Sequence, residues 1–374
     1  MTSGLDPDLL AAIGPRVRKS PFFDRTVEAG LAKVSTYNHM WLPMGYGDPE
    51  AEYRRLTEGV SMWDVAAQRH IQVAGPDADA LVALVTVIDT TTTDRGTATY
   101  APMVDDDGVL INDPILIRLH DGTWRFSIAD RDVDLWLRAI VRERGLSVEV
   151  GELDTATLAV QGPRSAEVAA RLGFDWWDDL DDMHHRSAEI NGLEVLVSRT
   201  GWSHQGGFEL FLDDPSGADA LWRAVADAGR AVDIGPGAPN PAERIESTLL
   251  SFGTDTGDGA NPYEMRLGGL VAFDAGEFIG RDALRHIADR GPERWLLGCV
   301  IDGEPVDVLP HPMELLSSGE RRGELRAAVY SPRWQRNIGL GLMDASCAPG
   351  DVATVQFPAD TRRVELVDLP FDLP

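Results

Sequence analysis

Residues 188–212 read AEINGLEVLVSRTGWSHQGGFELFL. Asn191-Gly192 is a dipeptide that two-residue hairpin turns favour, and the runs beside it read as strands, so a strand pair is expected over 188–199. The next connection is of another kind. Between "LEVLVS" and "FELFL" stand a Trp, a His and a Gln, where an ordinary hairpin turns on about two to five small residues. This loop is either a decorated turn or the wall of a site.

Outward from that stretch the chain repeats an order of elements. Residues 156–162 (ATLAVQG) read as a strand and 164–173 (RSAEVAARLG) as a short helix closed by Gly173. The hairpin follows, then a helix over 216–229 (SGADALWRAVADAG) with Ser216 as its N-cap. Upstream, 69–75 (RHIQVAG) alternates as a strand and 76–87 (PDADALVALVTV) reads as a helix. Residues 98–119 (ATYAPMVDDDGVLINDPILIRL) are a strand pair around an Asp-Gly turn. A strand at 123–129 (TWRFSIA) and an amphipathic helix at 131–145, ending in Arg and Gly, complete the set. Strand, helix, hairpin, strand, helix in both halves predicts an α+β fold of two ferredoxin-like units. Tyr53, Leu56 and Val60 stand at helical spacing ahead of them. Past "RGPERW" (290–295) come short alternating segments, WLLGCVI, AAVYS, IGLGLM and VATVQF, as in a small antiparallel barrel. The expected division is 1–62 with 152–290, then 63–151, then 291–374.

Composition narrows the function. Of 374 residues, 43% are hydrophobic and 25% charged, as in ordinary globular proteins. A net charge of −27 argues against a nucleic-acid or anionic membrane partner. No run approaches the ~18 apolar residues of a membrane span, and "MTSGLDPDLL" lacks a secretory pattern. A cytoplasmic protein, monomer or homodimer, is expected. Cys299 and Cys347 read as buried thiols, and no metal site is expected.

Three local patterns invite chemistry and do not hold it. "VDDDGVLIND" (104–113) lacks the twelfth-position Glu and flanking helices of a calcium loop. "DMHHRS" (182–187) sets two histidines side by side, pointing apart. "GWSHQGG" (201–207) has Gln205 where a nucleophile elbow needs Gly. The stretch 235–253 (GPGAPNPAERIESTLLSFG) starts a helix, with Asn240 as cap, Pro241 in the first turn and Glu243 as capping-box acid. Ile245, Leu249 and Phe252 lie on one side. It is neither a phosphate loop nor a dinucleotide fingerprint. Asp113, set between an apolar run and Pro114, is either a turn-former or a carboxylate aimed into a cleft. Glu209 poses the same alternative.

Six segments in order, "WDVAAQRHIQVAG", "ATYAPMVDDDGVLINDP", "LAVQGPRS", "SRTGWSHQGGFEL", "RIESTLLSFG" and "NPYE…IGRDAL", resemble the glycine-cleavage T-protein (aminomethyltransferase) family. The resemblance covers about residues 20–290, more weakly the barrel, and implies a fold with a central folate cleft and tetrahydrofolate as cofactor. It places the catalytic carboxylate at Asp113, folate contacts at Tyr100, Asp113, Trp202, Glu209 and Asn240, and the pterin-reading role at Glu209. A carboxylate suits the paired donors of a pterin edge. Where the glycine-cleavage enzyme has an Arg, this chain has Asn240, and Asn112 replaces the first Asp of a pair, so a lipoyl carrier partner is not expected. At positions 204 and 205 that enzyme typically has Gly-Glu, in place of His204 and Gln205.

"YNHMWLP", "WDVAAQR", "NDP", "GWSHQGG" and "GPGAPNPAERIES" resemble that family's dimethylsulfoniopropionate demethylase branch. This implies methyl transfer from a sulfonium donor to N5 of tetrahydrofolate. A cationic donor calls for aromatic faces, and Tyr37, Trp41, Trp63, Trp202 and His204 are the substrate-binding candidates, with core packing the competing reading for Trp63. Arg18 and Arg69 are candidates for the donor carboxylate. A betaine, methylamine or methoxy donor, or a folate-binding regulator without turnover, are the alternatives.

Overall fold

The computed structural model describes residues 16–373, so "MTSGLDPDLL" lies outside the described residues. Two sheets, one antiparallel and one antiparallel but for a short parallel edge, and a barrel form its frame. One sheet runs Glu149–Leu153, His70–Ala74, Trp124–Ser127, Ile115–Arg118, Thr97–Tyr100. Its helices, Ala78–Val85 and Val133–Arg144, bury Leu81, Val85 and Leu137 against Ile71, Leu116 and Phe126. The first four positions follow the 4-1-3-2 order of a ferredoxin-like unit, with Thr97–Tyr100 added at the far edge.

The second sheet runs His185–Ile190, Leu193–Ser198, Gly207–Leu212, Ala156–Gln161, Ser61–Asp64, Gly235–Gly237. Helices Ser165–Arg171 and Ala218–Gly229 pack Val168, Leu221 and Val225 on Leu158, Val160, Val197 and Leu210. The order is again 4-1-3-2, with one added edge strand, His185–Ile190, beside strand two and another, Gly235–Gly237, beside strand four. Here the fourth position is taken by Ser61–Asp64, which precedes the other unit in the chain. The two units are interleaved. This is why their sequences do not read as a simple tandem repeat. The expected divisions at 62/63 and 151/152 fall inside the strands Ser61–Asp64 and Glu149–Leu153. Each of those strands belongs whole to one sheet.

Local chemistry follows the sequence at most turns. Asn191 and Gly192 both adopt positive φ (52° and 84°), as the tight hairpin turn requires. The Asp105 carboxylate accepts from the backbone N–H groups of Asp107 and Val109, at 3.1 and 2.9 Å. Ser216 is a correction. It lies inside the short 3-10 turn Pro215–Gly217, where Asp214 accepts its N–H at 3.0 Å, and the helix begins at Ala218 without a side-chain cap.

The units meet sheet to sheet. Phe211 packs with Ala98 and Ile117, and the ring of His70 meets it edge-on at 4.7 Å. Burial, reinforced by Arg125, pushes the His70 imidazole down to about 3, so it is neutral in the interior. Arg125 in turn forks onto Asp213 at 2.9 and 2.6 Å. The barrel closes in the order Arg294–Ile301, Arg336–Asp344, Glu320–Ser331, Met313–Ser317, Val352–Gln356, Thr361–Val367, and its first strand starts within "RGPERW". Cys299 is buried in the barrel core. Cys347 is only partly buried, a correction to its reading as a core thiol. The helix Pro241–Glu246 is wedged between barrel and units: Glu246 accepts from Tyr53 at 2.7 Å and from the barrel residue Ser331 at 2.5 Å. No helix among the described residues is long and apolar enough to cross a membrane.

Candidate active site

Asp113 sits in the single break between the strands Leu110–Asn112 and Ile115–Arg118, followed by Pro114. The break is pinned from beneath. Buried Asn112 donates to the Ala129 carbonyl at 3.1 Å and accepts the Ala129 N–H at 3.0 Å. An amide can do both, whereas a carboxylate cannot donate. The departure from an Asp pair at 112 therefore has a structural reason.

Above this anchor the Tyr100 hydroxyl donates to Asp113 Oδ2 at 2.7 Å. Desolvation pushes the Asp113 carboxyl up to about 7, and the charge of Asp255 adds to the rise while the Tyr100 bond opposes it. Burial and Asp113 hold the Tyr100 hydroxyl well above its ordinary value, and the same two causes act on Tyr37, with Asp130 adding to them. Both phenols stay protonated as donors. Tyr37 reaches this point because the hairpin of Lys33–Tyr37 and Met40–Gly45 is locked at its tip. The Asn38 N–H donates to Asp130 at 2.7 Å, and its amide donates to the carbonyls of Ala67 and Ile128.

Glu209 comes from the other sheet. It stands across from Ser198 on one side and Ala159 on the other, so small side chains flank it and leave space over the strand. It is 6% exposed, and burial raises its pKa. Among the described residues its one hydrogen-bond donor is the Thr200 hydroxyl. A desolvated carboxylate with so much unused acceptor capacity fits a ligand edge carrying N–H donors, as a pterin does.

The loop between those strands is tied outward. The Trp202 indole N–H donates to the Leu250 carbonyl at 3.3 Å, and Ser203 donates to Gln161 Oε1 at 2.7 Å. The His204 N–H donates to Glu243 at 2.9 Å, leaving its imidazole exposed. The glycines serve this tethering. A Cβ on Gly207 would lie 2.2 Å from the Val160 carbonyl, and one on Gly201 would strike the Gln161 amide. At these two positions the close approach is to protein, not to a ligand as their flexibility suggests.

Asn240 caps its helix as read from sequence, with Oδ1 accepting from Ala242 and Glu243 at 3.0 and 3.1 Å. That oxygen is committed, and the side-chain NH2 remains for any ligand. Glu243 does not close a capping box. Its carboxylate turns to the loop instead. Trp63 is 1% exposed, packed with Leu56, Val65 and Ala159, and donates its indole N–H to Ser61 at 2.7 Å. The structure thus places Trp63 in the core, without an open face for a substrate. Trp41 is half-buried, with its backbone N–H bonded to the Arg18 carbonyl. Arg69 is paired with Asp132 at 2.8 Å and Glu152 at 2.5 Å, and Arg18 with Glu152 at 3.0 Å, so both guanidinium groups already have carboxylate partners within the protein. Asp255 was not legible as a site residue. Fully buried, it accepts from Arg244 and from the Ser251 N–H, each at 2.7 Å, and its field reaches both Asp113 and Tyr100.

The interleaved pair of α+β units and the barrel are a fold shared with a solved aminomethyltransferase. Residues 22–275 match the GCVT N-terminal domain and residues 294–372 the glycine cleavage T-protein C-terminal barrel domain. The chain belongs to the glycine-cleavage T-protein family, whose cofactor is tetrahydrofolate. It is 35% identical to a dimethylsulfoniopropionate demethylase of Ruegeria pomeroyi, over 95% of this chain and 98% of that protein. A probable aminomethyltransferase of Natronomonas pharaonis is 30% identical over 95% and 99% of the two chains. The crystal structure of the glycine cleavage aminomethyltransferase T of Bartonella henselae superposes with a TM-score of 0.84 at 20% identity, covering 95% and 98%, and shares the fold.

Proposed function

We propose that this chain is a tetrahydrofolate-dependent demethylase that moves a methyl group from a sulfonium donor of the dimethylsulfoniopropionate kind to N5 of tetrahydrofolate. The relative from Ruegeria pomeroyi, 35% identical along nearly the whole chain, supports that donor class. The observation that carries the chemistry is Asp113, desolvated, hydrogen-bonded by Tyr100 and poised near 7.

In the transfer the S–CH3 bond breaks with its electron pair left on a neutral thioether. The new C–N5 bond forms from the acceptor's lone pair, and the N5 proton passes to the Asp113 carboxylate. A sulfonium needs no acid to expel its leaving group. The protein's task is alignment, which can account for ~7–11 kcal/mol of the barrier. Tetrahydrofolate supplies the nucleophilic nitrogen. Glu209 holds the acceptor by its donor edge, while Tyr100 fixes the Asp113 oxygen. The carboxylates of Asp113, Asp130 and Asp255 make the locale favourable to a cation. Aromatic faces from Tyr37 and Trp202 add ~0.5–2 kcal/mol each.

Incubating the purified protein and tetrahydrofolate with sulfonium, betaine, methylamine and methoxy donors, and assaying 5-methyltetrahydrofolate, tests the proposal. Product is expected with the sulfonium donor. Turnover only with another donor would move the substrate, and folate binding without any product would make the chain a regulator.

A further inference from the structure

Glu243 departs from the role its position calls for. It is the third residue after the Asn240 cap, where an acid usually reaches back to the cap's own N–H. Instead Oε1 accepts three donors, the His204 backbone N–H and the Gln205 side-chain amide at 2.9 Å each and the Ser247 hydroxyl at 3.0 Å. The residue is 1% exposed, and Oε2 is enclosed with no partner in the protein. Two of those donors come from the loop that carries Trp202. At its start the loop is tied by Arg199 to Asp182 at 2.9 Å and by Thr200 to Glu209, and at Trp202 and Ser203 by the long 3.3 Å bond to Leu250 and the bond to Gln161. Beyond Trp202, Glu243 gathers two successive residues, His204 and Gln205, on one oxygen. Glu243 is therefore the shared fastening of the loop tip.

We infer that Gln205 and Glu243 form a matched donor–acceptor pair that positions Trp202 toward the methyl donor and so sets donor affinity. This rests on the reading of the Trp202 loop as the donor-side wall. The chemistry of the pair makes it one-directional. Gln205 donates an amide N–H into a buried carboxylate. A carboxylate at 205 would face that buried charge with nothing to donate, and like charges held out of water repel strongly. Exchanging the two residues restores one donor and one acceptor, because a Gln at 243 still offers a carbonyl oxygen to His204 and Ser247.

The test uses the full-length protein labelled with 5-fluorotryptophan, with W202F assigning the Trp202 resonance. Q205E is expected to shift or broaden that resonance and to raise the donor KM roughly threefold to thirtyfold, the worth of one cation–π contact. The tetrahydrofolate Kd should stay within about twofold. Q205A, which removes the donor without adding charge, should move both readouts the same way by less. The swap Q205E/E243Q should return resonance and KM toward the wild type. A Trp202 resonance unchanged in Q205E and Q205A, a KM that stays put while the resonance moves, or a swap that restores neither, overturns the inference. If sulfonium donors are not turned over at all, the resonance still decides the pairing while the proposed function fails.

Discussion

The two ferredoxin-like units carry the same hairpin at the same place, between their second and third strands, and close it in opposite ways. In one, residues 119–123 bond chiefly to one another, with Arg95 donating to the His120 carbonyl at 3.2 Å from outside. Leu119 donates to the Thr123 carbonyl at 2.8 Å, Gly122 donates back to Leu119 at 2.9 Å, and Asp121 accepts the Thr123 N–H at 2.8 Å. In the other, residues 199–206 send their polar groups outward to Gln161, Glu243 and Leu250. A turn closed mainly by its own bonds contributes chiefly a chain reversal. A loop that depends on distant partners is oriented by them, and it can hold an aromatic ring in a defined place. The carboxylates follow the same division: Asp113 lies at the strand break of the unit with the plain turn, Glu209 on the strand after the extended loop.

The largest expected effect tests whether the two carboxylates differ in role. Asp113→Asn keeps an acceptor for Tyr100 and removes the base, so turnover should fall by about 10²–10⁴ with the melting temperature little changed. Turnover within a few-fold of wild type would remove Asp113 from the reaction.

The two closures can be separated by stability. A Cβ on Gly207 (φ +146°) meets backbone, the Val160 carbonyl at 2.2 Å, whereas on Gly122 (φ +95°) it meets the movable Arg95 guanidinium at 2.9 Å. In urea titrations Gly122→Ala should cost about 1 kcal/mol and Gly207→Ala about 2–4 kcal/mol. Equal losses would contradict the contrast between a free turn and a clamped loop.

A finer effect concerns pH. In the proposed transfer Asp113 acts as an ionised carboxylate, so the rate should fall as pH drops through about 7, to which burial raises this carboxyl. The Tyr100 bond favours the ionised form. Tyr100→Phe therefore raises the Asp113 pKa further and moves the acid limb of kcat/KM to higher pH. A limb that moves to lower pH would contradict the sign.

Much of this was legible in the chain. The Asn191-Gly192 turn, the helix ending at Gly145 and the strand break at Asp113 are written in local chemistry. The barrel is written in alternating segments, and the odd composition of 199–207 marks the loop. What was not legible depends on partners far apart in sequence. Ser61–Asp64 joins a sheet whose other strands lie beyond residue 155. Asp255 matters only because the fold sets it beside Arg244 and within reach of Asp113. Arg69 resembles a free cation until Asp132 and Glu152 close on it. The capping-box pattern at Asn240 and Glu243 misled for the same reason. A local rule offered Glu243 one partner, and the folded loop offered it better ones.

In the proposed reaction one folate is gripped by carboxylates from both sheets, Glu209 for binding and Asp113 for chemistry. Calorimetric titration of tetrahydrofolate into wild type, Glu209→Gln and Asp113→Asn tests it directly. Loss of hydrogen bonds to a charged acceptor, worth ~1.5–3 kcal/mol, should weaken binding to Glu209→Gln by roughly tenfold or more. Asp113→Asn should bind within a few-fold of wild type while failing to turn over. Undiminished binding to Glu209→Gln would contradict the account.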